Sequence, residues 1–368
     1  MNAGFQFVFP VLVIRTLPLN VSNEYFVSIA LISPLYVLLS SQFQLLYLTN
    51  SRRSSLSFFQ EKCVMSLILL VLSLLLVRYF TQFSFISWIT VTQKFIDFLW
   101  EFNSIRLIKL KRWKLIFVSS SISFLLFLLF FLLAFFGFVP PMVAVIGCLI
   151  TTGIRLIYFS KNLLLKLNKI KIISTEFYSV LFFSFPTFLA SLLPNLPRYY
   201  FEYVKNAAYV VQTSVIIAIA SGFSILTQSF FQSNINSLKI VKTQIPFYSI
   251  VAFLFILCGY LFGNNLIHLI FGEKIFFRSL ESFFLCIYIL LSFPIFHFNL
   301  IYLRLNMFRI YSLVILFCVF LFLLFVFLCK SYVDPLFVIT LLCFMGVLQI
   351  IFGFIFTEIF RGKYKNEI

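Results

Sequence analysis

Along the chain, long apolar runs alternate with short basic breaks. Residues 25–51, 177–197, 282–303, 310–329 and 335–357 carry no charge, and each supplies the roughly 20 residues a helix needs to cross the hydrocarbon of a bilayer. The uncharged stretch 115–154 is long enough for two crossings. Gly137, Pro140 and Pro141 punctuate it and predict a turn between two helices. Between Cys63 and Gln93 the single charge is Arg78, so one helix is predicted to end near Phe80 and another to begin. Stretches 206–238 and 243–272 add one crossing each, and the first 14 residues a short one. The pattern predicts an all-α polytopic membrane protein of about twelve transmembrane helices.

The basic residues test this count independently, because Lys and Arg gather in cytoplasmic connections. Of the 28, 20 fall in every second break: Arg52, Arg53 and Lys62; Arg106, Lys109, Lys111, Arg112 and Lys114; Arg155, Lys161, Lys166, Lys169 and Lys171; Lys239 and Lys242; Arg304 and Arg309; Arg361, Lys363 and Lys365. The other eight, Arg15, Arg78, Lys94, Arg198, Lys205, Lys274, Arg278 and Lys330, lie in the other connections or inside spans. Both termini are therefore predicted to be cytoplasmic. The most marked basic break, 155–173, lies almost midway. It divides the chain into an N-terminal lobe, 1–172, and a C-terminal lobe, 173–368, of six helices each, an arrangement suited to a central cavity and alternating access.

Composition narrows the class. With 62% hydrophobic and only 11% charged residues, the chain could not cover a water-facing surface. The net charge of +17, which in a soluble protein would point to nucleic acid, here reads first as topology. No Cys pair forms CxxC or a Cys/His metal spacing, and His268 and His297 are far apart, so zinc and disulfides are not expected. The two histidines read as structural residues. The first 14 residues lack a basic n-region and a small-residue cleavage site, so they do not read as a signal peptide. Asn20-Val21-Ser22 matches a glycosylation acceptor, a pattern common by chance.

Charges inside spans are costly and call for a cavity or a partner. Lys94, Asp97 and Glu101 are spaced i, i+3, i+7 on one helix face, in a span that also carries Thr90, Thr92, Gln93 and Trp100. Two readings fit: the wall of a hydrated cavity, or a Lys94–Asp97 ion pair set against a neighbouring helix, with Glu101 and Arg106 at the boundary. In Leu193-Pro194-Asn195-Leu196-Pro197-Arg198-Tyr199-Tyr200-Phe201-Glu202-Tyr203 two prolines interrupt the helix just before an Arg, three tyrosines and a Glu. The Arg fork suits phosphate or carboxylate; equally, Tyr and Arg populate interfacial belts. Arg15 and Arg155, at span ends, either face a pathway or snorkel to the headgroups.

These residues carry a resemblance. Pro10-Val11-Leu12-Val13-Ile14-Arg15-Thr16-Leu17 followed by Asn23-Glu24-Tyr25-Phe26, Leu192–Tyr203 continuing through Ala207–Gln228, and Leu261-Phe262-Gly263 with Leu269-Ile270-Phe271-Gly272-Glu273-Lys274 and Ser279 together resemble the Wzx-type O-antigen flippases. These form part of the polysaccharide-transporter branch of the multidrug/oligosaccharidyl-lipid/polysaccharide exporter superfamily. Phe26 stands where that family has Gly, the chain is shorter than is usual for it, and only 14 residues precede Arg15, so the start lies upstream or the first span is truncated and tilted. The resemblance implies a transporter, not an enzyme. It would flip undecaprenyl-pyrophosphate-linked O-antigen repeat units across the bacterial inner membrane during lipopolysaccharide biosynthesis. It would use no cofactor beyond a coupling Na⁺ or H⁺, and would work beside polysaccharide polymerase and chain-length proteins. It implies substrate-binding roles for Arg15, Lys94, Arg198, Tyr199 and Tyr200, and cavity or ion-coupling roles for Asp97, Glu101 and Glu202. The alternative of another class is the integral-membrane O-antigen polymerase, which typically carries a large periplasmic loop that this pattern lacks. A membrane acyltransferase would want a His in polar company, and a cationic-drug antiporter a more acidic interior.

Overall fold

The computed structural model describes residues 2–49, 55–81, 84–164, 176–233, 257, 259–272, 275, 277–304 and 307–361. Among them every regular element is helical. In order these are α1 (Asn2–Thr16), α2 (Leu19–Thr49), α3 (Ser55–Phe80), α4 (Phe85–Lys109), α5 (Trp113–Phe135), α6 (Pro141–Leu164), α7 (Glu176–Leu192), a 3₁₀ turn Leu193–Asn195, α8 (Leu196–Tyr203) and α9 (Ala207–Ser233). The helical residues 259–271, α10, come next. The last are α11 (Ser279–Arg304), α12 (Phe308–Leu328), a 3₁₀ turn Lys330–Tyr332 and α13 (Pro335–Arg361). Six stretches among the described residues are long and apolar enough to cross a membrane: Leu19–Leu38, Phe58–Phe80, Lys114–Phe135, Pro141–Ser160, Arg309–Leu328 and Pro335–Phe356.

Helix ends follow the chemistry of the chain. α5 stops at Phe135, Gly137 takes φ 76°, and Pro141 opens α6, where its missing N–H costs nothing. α4 and α8 close instead on lysines. Lys111 and Lys205 hold φ 57° and 56°, and the N–H of the next residue returns to a carbonyl five positions back, Arg112 to Leu107 and Asn206 to Phe201. Asp334 caps α13, its Oδ1 accepting from the Phe337 N–H at 2.8 Å.

The chain forms two compact units, Met1–Ala207 and Ala208–Ile368. The division expected between 172 and 173 falls in 165–175, outside the described residues. In the first unit α2 packs on α3, α4, α7 and α8, α4 on α6, and α1 on α5. The paired residues give the helix directions. Ser28 meets Ser87 on α4, and on α6 Ser160 meets Asn103 and Arg155 meets Trp100, so α2, α4 and α6 run parallel. Phe59 with Phe102 and Lys62 with Glu101 make α3 antiparallel to α4. Phe9 with Phe127 and Arg15 with Phe135 make α1 parallel to α5. Tyr36 against Phe98 completes the α2–α4 pairing, and Phe9 with Tyr25 and Val13 with Ser22 make α1 antiparallel to α2, so α1 to α6 alternate in direction.

In the second unit α11, α12 and α13 alternate likewise. Phe284 and Phe298 on α11 meet Cys343 and Phe354 on α13, a parallel pair. Phe317 and Phe325 on α12 meet Phe352 and Phe344, an antiparallel one. α10 crosses α11 through Gly259 and Gly263, spaced i and i+4, which face Cys286 and Ser282; any Cβ there would strike these side chains. Small residues at this spacing let two apolar helices approach closely where lipid supplies no hydrophobic drive.

Candidate functional site

The first unit contains a row of charges inside an apolar bundle. Its spine is α4, which presents Lys94, Asp97 and Glu101 on one face, as their spacing predicts. At one end, Glu101 Oε2 lies 3.4 Å from Lys62 Nζ of α3, with the ammonium only 1% exposed and the carboxylate 32%. The ammonium also sits 3.5 Å from the Phe98 ring centroid, a cation–π contact that desolvation strengthens. One turn back, Arg155 of α6 is buried with its guanidinium 4.0 Å over Trp100, within electrostatic reach of Asp97. Lys94 acts on Asp97, Glu101 and Arg198. Among the described residues Lys94 and Asp97 close no ion pair within 4.0 Å. Both remain half-buried, so the middle of the row borders accessible space.

The other end is built by the break between α7 and α8. Pro194 and Pro197 carry no N–H, so the carbonyls four residues earlier lose their helical donors. The chain answers with a 3₁₀ turn, in which the Leu196 N–H bonds Leu193 O. Asn195, buried there, donates through Nδ2 to Ser191 O at 2.7 Å and accepts at Oδ1 from Arg198 Nη1 at 2.8 Å. Arg198 is 4% exposed, flanked by Tyr25 and Tyr199, with the Phe26 ring centroid 5.8 Å away.

α8 is fastened to α2 by its neighbours. Tyr199 Oη donates to Ala30 O at 2.5 Å. That carbonyl is available because Pro34, four residues on in α2, has no N–H to give it. Glu202 accepts from Asn23 Nδ2 at 2.9 Å. Tyr200 packs edge-on to Phe201. Arg15 closes α1 with its guanidinium 4.8 Å over Phe135 of α5. The structure therefore gathers Lys94, Asp97, Glu101 and Arg198 into one electrostatic row; Tyr199 and Glu202 brace its α8 end, and Arg15 lies against α5.

Two residues counted by charge pattern alone turn out to be structural members of this region. Lys62, expected in a connection, lies in α3, which begins at Ser55 and turns it inward. Arg106, expected at a boundary, donates through Nη2 to Phe159 O of α6 at 2.8 Å. Beside it Asn103 donates to Ser160 Oγ at 2.5 Å. Asn20–Glu24 lie in the first turns of α2, with Ser22 Oγ donating back to Val13 O and Pro18 O. Only the positions of Glu101 and Phe159, far away in sequence, distinguish such residues from ordinary boundary charges. The side chains of His297 and Lys161 and the basic positions Arg52, Arg53, Lys166, Lys169, Lys171, Lys239, Lys242, Lys363 and Lys365 lie outside what is described.

The row has more cations than acids: Lys62, Lys94, Arg155 and Arg198 against Asp97 and Glu101. In a medium of low dielectric such an excess attracts an anion, and Arg offers a fork that matches phosphate or carboxylate. Among the described residues no three His, Cys, Asp or Glu side chains gather in a metal-binding group. Compared with known proteins, the chain matches no family model, no curated protein and no solved structure.

Proposed function

We propose that the chain is a flippase for lipid-linked oligosaccharides, moving an undecaprenyl-pyrophosphate-linked repeat unit across the bacterial inner membrane by alternating access on about twelve crossings, with both termini cytoplasmic. The observation that carries this reading is the cation-rich row inside the apolar helices of the first unit, with Arg198 buried at one end and Lys94 and Asp97 half-buried at its middle. A lipid-linked substrate poses one physical difficulty: its charged head must cross hydrocarbon while its prenyl tail need not leave it. A row of fixed cations lowers the cost of carrying a pyrophosphate, and partly accessible side chains at its middle leave the head hydrated. Lys94 and Arg198 are the proposed pyrophosphate contacts, Tyr200 a surface for sugar, and Asp97 and Glu101 the resident counter-charges.

The test is complementation of a flippase-deficient strain together with lipid-linked sugar flux in inverted vesicles. The wild-type chain should restore surface polymer and move labelled lipid-linked sugar without forming glycosidic bonds. Arg198→Ala should abolish both at unchanged protein level. Polymer growth in the vesicles would make the chain a polymerase and end the proposal, as would full activity of the Arg198 variant.

A further inference from the structure

The bonds around the α7–α8 break describe how a buried Arg is aimed. Asn195 is the residue between two needs. Its amide orientation is dictated, since a carbonyl can only accept and a guanidinium can only donate. So Nδ2 must face Ser191 O and Oδ1 must face Arg198, as found at 2.7 and 2.8 Å. One side chain therefore both bonds the last turn of α7, at Ser191 O, and fixes the guanidinium. Tyr199 does the matching work on the other side of Arg198. Its hydroxyl is engaged at 2.5 Å by the Ala30 carbonyl that Pro34 leaves open, so α8 is held on α2 by a bond to backbone. The proton of that hydroxyl is committed to the protein and is not offered to a sugar.

We infer that Asn195 and Tyr199 are positioning residues that preset Arg198 as an anion fork, so the proline-interrupted segment is a prefabricated anion seat. The inference rests on the proposed anionic headgroup. It replaces the substrate-contact role expected for Tyr199, and it gives a role to Asn195. Pre-aimed donors hold an anion more tightly because no rotamer freedom is lost on binding.

The experiment measures binding of inorganic pyrophosphate to the purified full chain in detergent, in magnesium-free buffer, by titration calorimetry, with melting temperatures recorded for every variant. Arg198→Ala should weaken binding by at least tenfold. Asn195→Asp keeps the shape and the acceptor oxygen, but places a carboxylate on the guanidinium, where it competes with the ligand. It should therefore weaken binding as much as Arg198→Ala and more than Asn195→Leu does. Tyr199→Phe removes only the hydroxyl and should weaken binding severalfold. A purely structural role predicts the opposite order, with Asn195→Leu worst and affinity following melting temperature; that order overturns the inference. So does wild-type affinity in both N195D and Y199F alongside a weakened R198A. If the wild-type chain and R198A bind pyrophosphate equally, or neither binds, the proposed function itself fails, a result distinct from the others.

Discussion

Lys62 and Glu101 form an ion pair whose two ends have different surroundings, and that asymmetry decides what each is worth. The ammonium is 1% exposed and the carboxylate 32%. Removing Glu101 strands a charge with little access to water; removing Lys62 leaves a carboxylate that water reaches. Breaking a buried pair by deleting one partner costs more than replacing the buried charge itself with an apolar side chain. Glu101→Gln should therefore destabilise the protein by about 2 kcal/mol, and Lys62→Met, which keeps the stem against Phe98, by less than about 1 kcal/mol. Thermal unfolding in detergent distinguishes these outcomes. Equal losses in the two variants would mean that the pair is solvated as a unit and that Lys62 is not an inward charge.

At the scale of the element, a proline in one helix and a tyrosine on another make a single device. Tyr199 donates to the carbonyl that Pro34 frees, so the two residues should not act additively. Tyr199→Phe should cost about 1 kcal/mol in the wild-type chain, the net worth of such a bond. In a Pro34→Ala background, where residue 34 regains its N–H for Ala30 O, the same change should cost nearly nothing. A double-mutant cycle from unfolding measurements checks this, and additive losses would show that the bond does not depend on the carbonyl that Pro34 frees. Much of this architecture is written in the sequence. Gly137 and Pro141 mark the α5–α6 turn, Pro194 and Pro197 the break after α7, and the i, i+3, i+7 spacing the charged face of α4. These are local properties of backbone and helix period. What hydropathy could not give is the destination of a charge near a helix end. Lys62 reads as a boundary residue until Glu101, 39 positions away, is placed opposite it. The hydroxyl of Tyr199 reads as a ligand donor until Ala30, 169 positions away, takes it. Such facts depend on which helices neighbour one another, and an apolar helix says little about its neighbours.

For the molecule as a whole, the alternation of helix directions within each unit and the alternation of basic breaks along the chain make one joint claim about sidedness. α5 has 23 residues, about 34 Å at 1.5 Å per residue, enough to span the hydrocarbon once. Its N-terminal end is flanked by exposed Lys111 and Arg112 and carries exposed Lys114, while its C-terminal end meets the uncharged turn of Phe136 and Phe138, 65% and 76% exposed. In the second unit α12 begins beside exposed Arg309 and ends at the turn that carries Tyr332, 80% exposed. On the positive-inside bias, the proposed topology puts the ends at 111 and 309 in the cytoplasm and the ends at 137 and 332 outside. Single cysteines at Lys111, Gly137, Arg309 and Tyr332, in a chain whose own cysteines are replaced, should report this directly. A membrane-impermeant maleimide added to intact cells is expected to label the positions at 137 and 332, and to reach those at 111 and 309 only after the cells are opened. Labelling of 111 and 137 from the same side would mean that α5 does not cross. Opposite sidedness for 111 and 309 would mean that an odd number of crossings separates α4 from α12, and that the count of twelve is wrong.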